Sequence, residues 1–282
     1  MIIDELYERV KKNGAVCVGL DTDRSYIPSS LKSECNTVSE EIFLFNKKII
    51  DYTKDIAACY KLQIAYYEMC GLEGMKAYRD TLLYLKKEKL ISIADVKRGD
   101  IGKTMDAYAK AHFSGDFEVD FITVNPYMGF DTLEPFFPYL KSGKKGVFVL
   151  LKTSNPGSSD IEAQDLGDRK VFDIVGDKLS ETGEMFMGEC GYSSLGAVVG
   201  ATYPEELGVF RKKYPKMFFL VPGYGAQGAG ADEVKLAFNS GNGAVINNSR
   251  GIITAYKDSG EEFFDAARNA VLKMNKDISA TL

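Results

Sequence analysis

Asp95 and Lys97 stand two apart in the run Ala94-Asp95-Val96-Lys97-Arg98-Gly99-Asp100-Ile101-Gly102. On a strand both side chains leave one face while Val96 leaves the other. If that face looks into a closed cavity, an ammonium and a carboxylate meet there. Asp100 follows the Gly99 turn and leaves the strand, to fold back over the same cavity or to reach a neighbouring subunit. Lys61 supplies a fourth charge, because alternation in Cys59-Tyr60-Lys61-Leu62-Gln63-Ile64-Ala65 puts Lys61 and Gln63 on one face and Leu62 and Ile64 on the other. On an adjacent strand Lys61 reaches Asp95. Two lysines and two aspartates then form an alternating, nearly neutral network, which is how buried charges become tolerable. A solvated salt-bridge cluster is the competing reading, since charge networks occur outside functional sites as well.

A second constellation suits an anion. Gly223-Tyr-Gly225-Ala-Gln227-Gly228 matches the GxGxxG pattern, and Arg250 follows one strand later. A dinucleotide loop usually belongs to a βαβ unit with an acid about 20 residues further on, and the next strand here carries none. Barrels instead bind phosphate with the loops after strands seven and eight. Glycines let backbone N–H groups approach the anion, and an arginine grips it with two hydrogen bonds. A plain glycine-rich turn beside a surface arginine accounts for either piece taken alone.

Several chemistries are poorly supported. The only histidine, His112, sits in a helical stretch and reads as a surface or helix-face residue, so histidine triads and HExxH zinc sites lack their parts. The five cysteines are odd in number and show no CxxC spacing, with Cys17 and Cys59 inside apolar runs as small core residues. A net charge of −5 and a pI near 5.2 argue against a nucleic-acid footprint and ask for a local positive pocket to hold an anionic substrate. No apolar run approaches the roughly 18 residues of a spanning helix. The start, Met1-Ile-Ile-Asp-Glu, is acidic where a signal peptide is basic. A cytoplasmic protein is expected.

Eight apolar, β-branched runs must position these residues: 15–21, 57–66, 90–97, 121–126, 146–154, 196–202, 217–223 and 244–250. Amphipathic segments over 38–55, 72–88, 131–141, 168–190, 203–213 and 232–240 alternate with them, a helix over 2–12 precedes them and one over 258–277 closes the chain. Eight βα units without a linker predict a single (β/α)8 barrel domain spanning 1–282, in preference to an open doubly wound sheet. Reactive groups in such barrels sit at the C-terminal strand ends. Those ends here carry Asp21, Asp95 with Lys97, Asn125 with Pro126, Thr153 with Ser154, Pro222 with Gly223, and Ser249 with Arg250. The insertions at 22–37 and 155–170 have no role legible in the residues.

The run Asp95-Val-Lys97-Arg-Gly-Asp100-Ile101 resembles the DxKxxDI signature of the orotidine 5′-phosphate decarboxylases, in their longer bacterial form. Similarity extends to Val18-Gly-Leu-Asp21, Lys61-Leu-Gln-Ile-Ala65, Thr123-Val-Asn125-Pro-Tyr-Met-Gly129, Thr153-Ser154-Asn-Pro-Gly157, Val221-Pro222-Gly223 through Gly228, and Asn248-Ser-Arg250-Gly-Ile252. The resemblance implies that Lys97 donates the proton to C6 of the pyrimidine and that Lys61, Asp95 and Asp100 complete a charged tetrad. It implies a homodimer in which Asp100, Ile101 and Thr104 cross the interface. It gives the ribose hydroxyls to Asp21, the pyrimidine to Ser154 and the phosphate to Gln227 with Arg250, and it enrols Asn125 and Pro222 in the substrate-binding set. No metal or organic cofactor is implied, and neither a nucleic acid nor a membrane is an expected partner. The nearest rival is a metal-dependent sugar-phosphate decarboxylase or aldolase of the same barrel superfamily, which shares the DxKxxD pattern. A non-catalytic phosphate-binding barrel is the rival from another class.

Overall fold

Strands buried on both faces read as short continuous apolar runs, and such runs make β1 (Val16–Gly19), β2 (Cys59–Gln63), β3 (Ser92–Arg98), β4 (Phe121–Val124), β5 (Gly146–Lys152), β6 (Ser193–Val199), β7 (Met217–Pro222) and β8 (Ala244–Asn248). All pair in parallel and in chain order, and β8 returns to β1 to close the expected (β/α)8 barrel. The structure, a computed structural model, describes residues 1–225 and 228–282. Around the barrel run α1 (Ile2–Asn13), α2 (Val38–Thr53), α3 (Gly71–Lys87), α4 (Gly102–Phe113), α5 (Phe137–Lys141), α6 (Val171–Gly183), α7 (Pro204–Lys213) and α8 (Phe263–Ser279).

The helices start and stop for local reasons. The Thr37 hydroxyl accepts the Glu40 N–H at 3.2 Å and starts α2, with Glu40 and Glu41 in its first turn complementing the helix dipole. Its apolar face buries Ile42, Phe45, Ile49 and Ile50, and Phe45 stacks on Phe263 of α8 at 4.9 Å. Each such side chain contributes about 1.5–3 kcal/mol through burial. Cys17 and Cys59 are buried neighbours across β1 and β2, as expected of core residues.

Some boundaries differ from those expected. β6 begins at Ser193, three residues before the predicted 196, because the Ser193 and Ser194 hydroxyls donate to the carbonyls of Gly183 and Phe186 and enter the sheet without stranded polar groups. The predicted 168–190 segment is helical only to Gly183, followed by a 3-10 turn over Glu184–Phe186. Segment 131–141 is a 3-10 stretch, Phe130–Phe136, that passes into α5, and 232–240 holds one helical turn, Ala231–Val234, and a 3-10 turn. The last helix begins at Phe263 rather than 258, because Gly260, at φ +71°, ends a separate turn over Tyr256–Ser259. Both insertions are tied down. Ile27 and Leu31 are buried, and the Tyr256 hydroxyl donates to Tyr26 O at 2.8 Å. Lys152, buried at the end of β5, bonds the Ser158 hydroxyl and lies 3.7 Å from Glu162.

His112 corrects the surface reading. With Met105, Ala109 and Phe113 it forms the buried stripe of α4, spaced i, i+4, i+7 and i+8, a period the sequence already carried. Its Nε2 accepts the Arg98 Nε–H at 3.4 Å. Burial, aided by the Arg98 charge, pushes its pKa down from 6.5 to about 4. The folded protein therefore holds this imidazole neutral while the unfolded chain protonates it below about pH 6.5. Stability from this group is complete above that pH and falls as pH drops toward 4, by about 1.4 kcal/mol per pH unit. Between pH 7 and 4.5 the wild type should lose about 2–3 kcal/mol more unfolding free energy in urea than His112→Gln. Equal losses would dismiss this titration.

Candidate active site

Neighbouring strand ends from β8 round to β3 build one continuous chain of charges. Lys61 of β2, buried, donates to Asp21 Oδ1 and to Asp95 Oδ2, each at 3.2 Å. Asp95 Oδ1 accepts from Lys97 Nζ at 2.6 Å and from the Thr123 hydroxyl at 2.9 Å. Asp21 Oδ1 takes the Gln63 N–H at 3.3 Å, and its Oδ2 takes the Ser249 hydroxyl at 2.7 Å. Carboxylate and ammonium thus alternate as Asp21, Lys61, Asp95, Lys97.

Each charge is held by its neighbours. Burial alone would raise the Asp95 carboxyl, but the adjacent Lys61 and Lys97 ammoniums outweigh it and bring the pKa down to about 2. Burial likewise opposes the Lys61 charge, yet Asp21 and Asp95 raise its pKa above the ordinary lysine value. Both groups are therefore ionised at neutral pH. Lys97 differs from Lys61 in exposure, with 45% of its side chain accessible against 4%. It is the end of the chain that can meet a substrate.

Asp21, Lys61, Tyr66, Asp95, Pro222, Tyr224, Asn247 and Arg250 line a cavity of about 430 Å³ at the C-terminal mouth of the barrel. Arg250 begins a one-turn helix after β8 and has no side-chain polar partner among the described residues, so its guanidinium is free to take an anion. In the preceding loop Gly223, Gly225 and Gly228 adopt φ of +109°, +75° and +88°, which only glycine takes at little cost. The Gly225 and Gly228 N–H groups already serve the loop, donating to Ala229 O and Gly225 O, so they do not form the expected open anion cradle. Gln227 lies outside the described residues.

The remaining site residues are dispersed. Asp100 makes no ion pair among the described residues, and its Oδ1 accepts the Ile101 N–H at 2.8 Å, so within one chain it does not fold back onto the lysines. Ile101 and Thr104 are exposed on the same segment. Asn125 Oδ1 accepts the Tyr127 N–H at 3.0 Å and caps its own turn. Ser154 lies past β5 against Gly200, where a side chain would come within 2.9 Å of it.

Sequence reasoning missed Asn247, and it named Thr123 and Ser249 only as part of a motif and of a polar strand end, without a role. Asn247 lines the cavity, and its Oδ1 is buried without a partner among the described residues. Thr123 carried one signal, a hydroxyl inside the apolar run Phe121–Val124. Ser249 meets Asp21 only because β8 closes onto β1.

The family model described as "Orotidine 5′-phosphate decarboxylase / HUMPS family" matches residues 14–263. Over 282 residues the chain is 57% identical to the orotidine 5′-phosphate decarboxylase of Clostridium novyi (strain NT), covering 99% of this chain and 98% of that protein. It is 55% identical over 285 residues to the one from Petrotoga mobilis, covering 99% of each. The solved structure of Leishmania donovani OMP decarboxylase superposes with a TM-score of 0.77 at 32% identity, over 99% of this chain and 97% of that one.

Proposed function

Since the chain belongs to the orotidine 5′-phosphate decarboxylase / HUMPS family, we propose that it decarboxylates orotidine 5′-phosphate to UMP in pyrimidine biosynthesis, without a metal or organic cofactor. The carrying observation is the charge chain that ends at the accessible Lys97. The C6 carboxylate leaves as CO2, its bonding electron pair stays on C6, and the Lys97 ammonium gives its proton to that carbon. Solvent then reprotonates the amine.

Magnitudes show why Lys97 does not act alone. One charge pair at 4 Å and an effective dielectric near 20 supplies about 4 kcal/mol, whereas the largest enzymatic accelerations need about 20 kcal/mol or more. The balance falls to a site whose charges are fixed before substrate arrives, with Asp95 anchored by three donors. Binding energy from the phosphate, gripped by Arg250, adds to it through orientation and exclusion of water. Gln227 joins Arg250 in this reading, Asp21 faces the ribose, Lys61 belongs to the charged cluster, and Ser154 faces the pyrimidine.

The functional unit in this proposal is a homodimer. Supporting it, Ile101 is 62% exposed and Tyr127 76% exposed, with Met69, Leu72 and Met128 also exposed in the segments after β2 and β4. Those segments flank the Asp100 turn, and an apolar surface of this kind suits a second copy of the chain. We place the enzyme in the cytoplasm, where its free thiols would stay reduced; no helix among the described residues is long and apolar enough to cross a membrane.

In support of a cofactor-free reaction, both carboxylates of the cavity, the half-buried Asp21 and the buried Asp95, already hold an ammonium group. The deciding assay follows the loss of orotidine 5′-phosphate absorbance after exhaustive EDTA treatment. Undiminished turnover is expected. Activity that vanishes with EDTA and returns with a divalent metal would overturn the cofactor-free reading, and no loss of orotidine 5′-phosphate under any condition would favour the metal-dependent sugar-phosphate rival.

A further inference from the structure

β3 carries an irregularity at its most important residue. Ala94 pairs with Ile122 and Arg98 with Val124, so four steps along β3 face only two along β4. Two extra residues are accommodated between them, and Lys97 takes φ +42°, a conformation unusual for a side chain with a Cβ. Val96 and Lys97 fall in the unpaired stretch between those two register pairs. Thr123 is the single β4 residue opposite the gap, and its hydroxyl accepts both of their N–H groups, from Val96 N at 3.0 Å and from Lys97 N at 2.9 Å.

A hydroxyl has one proton to give and room for two donors. With both acceptor positions taken, the Thr123 proton is directed to Asp95 Oδ1, the same oxygen that holds Lys97 Nζ. One buried oxygen atom therefore fixes the backbone of Lys97 at one end and the anchor of its ammonium at the other.

We infer that Thr123 is a positioning residue for the decarboxylation, one that sets where the Lys97 ammonium stands by capping the β3 bulge and orienting Asp95. This rests on the reading of Lys97 as the proton donor. A strained backbone persists only where its surroundings over-determine it, and the Thr123 hydroxyl is the group that does so here. Loss of a donor to Asp95 also removes one of the influences that keep its carboxyl ionised.

The test compares Thr123→Val, which keeps the shape and removes the hydroxyl, with Thr123→Ser, which keeps the hydroxyl. Thr123→Val should lower kcat by about 100-fold, the scale of a misplacement of about 1 Å, with KM for orotidine 5′-phosphate within about 3-fold. Its acid limb in the kcat–pH profile should move to higher pH. Thr123→Ser should restore kcat to within about 3-fold of wild type. A purely structural role predicts instead a lower Tm with unchanged kcat per folded molecule and an unmoved pH profile, and that result overturns the inference. So does a serine variant as slow as the valine one. If Thr123→Val does not fold, Thr123→Cys takes its place, because a thiol fills the site but is a poor donor and acceptor. A fall in kcat of at least about 10-fold at preserved KM is then expected, and wild-type kcat refutes the inference. A wild-type protein inactive on orotidine 5′-phosphate defeats the functional reading itself, whereas an active wild type with an unaffected valine variant defeats only the role of Thr123.

Discussion

Lys97→Ala should lower kcat by about 10⁵-fold or more while the variant still folds and still binds UMP. Two losses combine. Removing the ammonium forfeits about 4 kcal/mol of attraction to the carbanion, close to 10³-fold, and removing the proton donor costs a further 10²–10⁴-fold, roughly the range for general acids. Folding survives because Asp95 keeps Lys61 at 3.2 Å and the Thr123 hydroxyl at 2.9 Å, so no buried carboxylate is stranded. Lys61 makes a poorer probe. Its loss would leave Asp21 without its ammonium partner and Asp95 with Lys97 alone, and breaking buried pairs of this kind typically costs about 3–5 kcal/mol of stability. The measurement is single-turnover decarboxylation beside UMP binding by calorimetry. Near-normal turnover would strip Lys97 of its role, and lost UMP binding at an intact fold would make it a binding residue.

The contrast between those two lysines shows what a sequence can and cannot state. Alternation along Cys59–Gln63 and Ser92–Arg98 is a local property, so the sequence alone puts Lys61, Asp95 and Lys97 on converging faces. The barrel itself was legible for a related reason, because strands buried on both faces stay apolar along their length and turn polar only at one end. Contacts made by closing the barrel were not legible. Asp21 meets Ser249 across 228 positions, and nothing near either residue announces the other. For the same reason Asp21 was expected only as a ribose ligand, although Lys61 bonds it as closely as it bonds Asp95.

The role of Thr123 was hidden differently. It depends on a bulge, and the residues that form it, Asp95, Val96 and Lys97, are the ones whose regular alternation suggested the site. The meeting of Lys97 with Asp95 was anticipated, but from an unbroken pleat rather than from the positive φ that Lys97 adopts. Asn125 shows a simpler limit of local sequence. A short polar side chain just after a strand is as well suited to capping its own turn as to touching a ligand, and here it accepts the Tyr127 N–H.

Mixing two inactive variants, Asp100→Ala and Lys97→Ala, should regenerate about a quarter of wild-type activity if the dimer exchanges its subunits freely. Asp100→Ala alone should cost about 10²–10³-fold, the scale of losing one preorganised electrostatic contact. Among the described residues of one chain the Asp100 carboxylate only caps the Ile101 N–H, and the accessible Lys97 pairs only with Asp95. A second carboxylate arriving from another subunit would complete the alternation of charge around that ammonium. In a random mixture half of the dimers are hybrids. One site of each hybrid then holds both Lys97 and the partner's Asp100, while the other lacks both, which leaves one quarter of all sites intact. Native mass spectrometry of differently tagged chains verifies that hybrids have formed. Recovery in proportion to the hybrid fraction assigns Asp100 to the opposite subunit's site. Hybrids without recovery would confine Asp100 to its own chain, because every hybrid site would then carry one lesion.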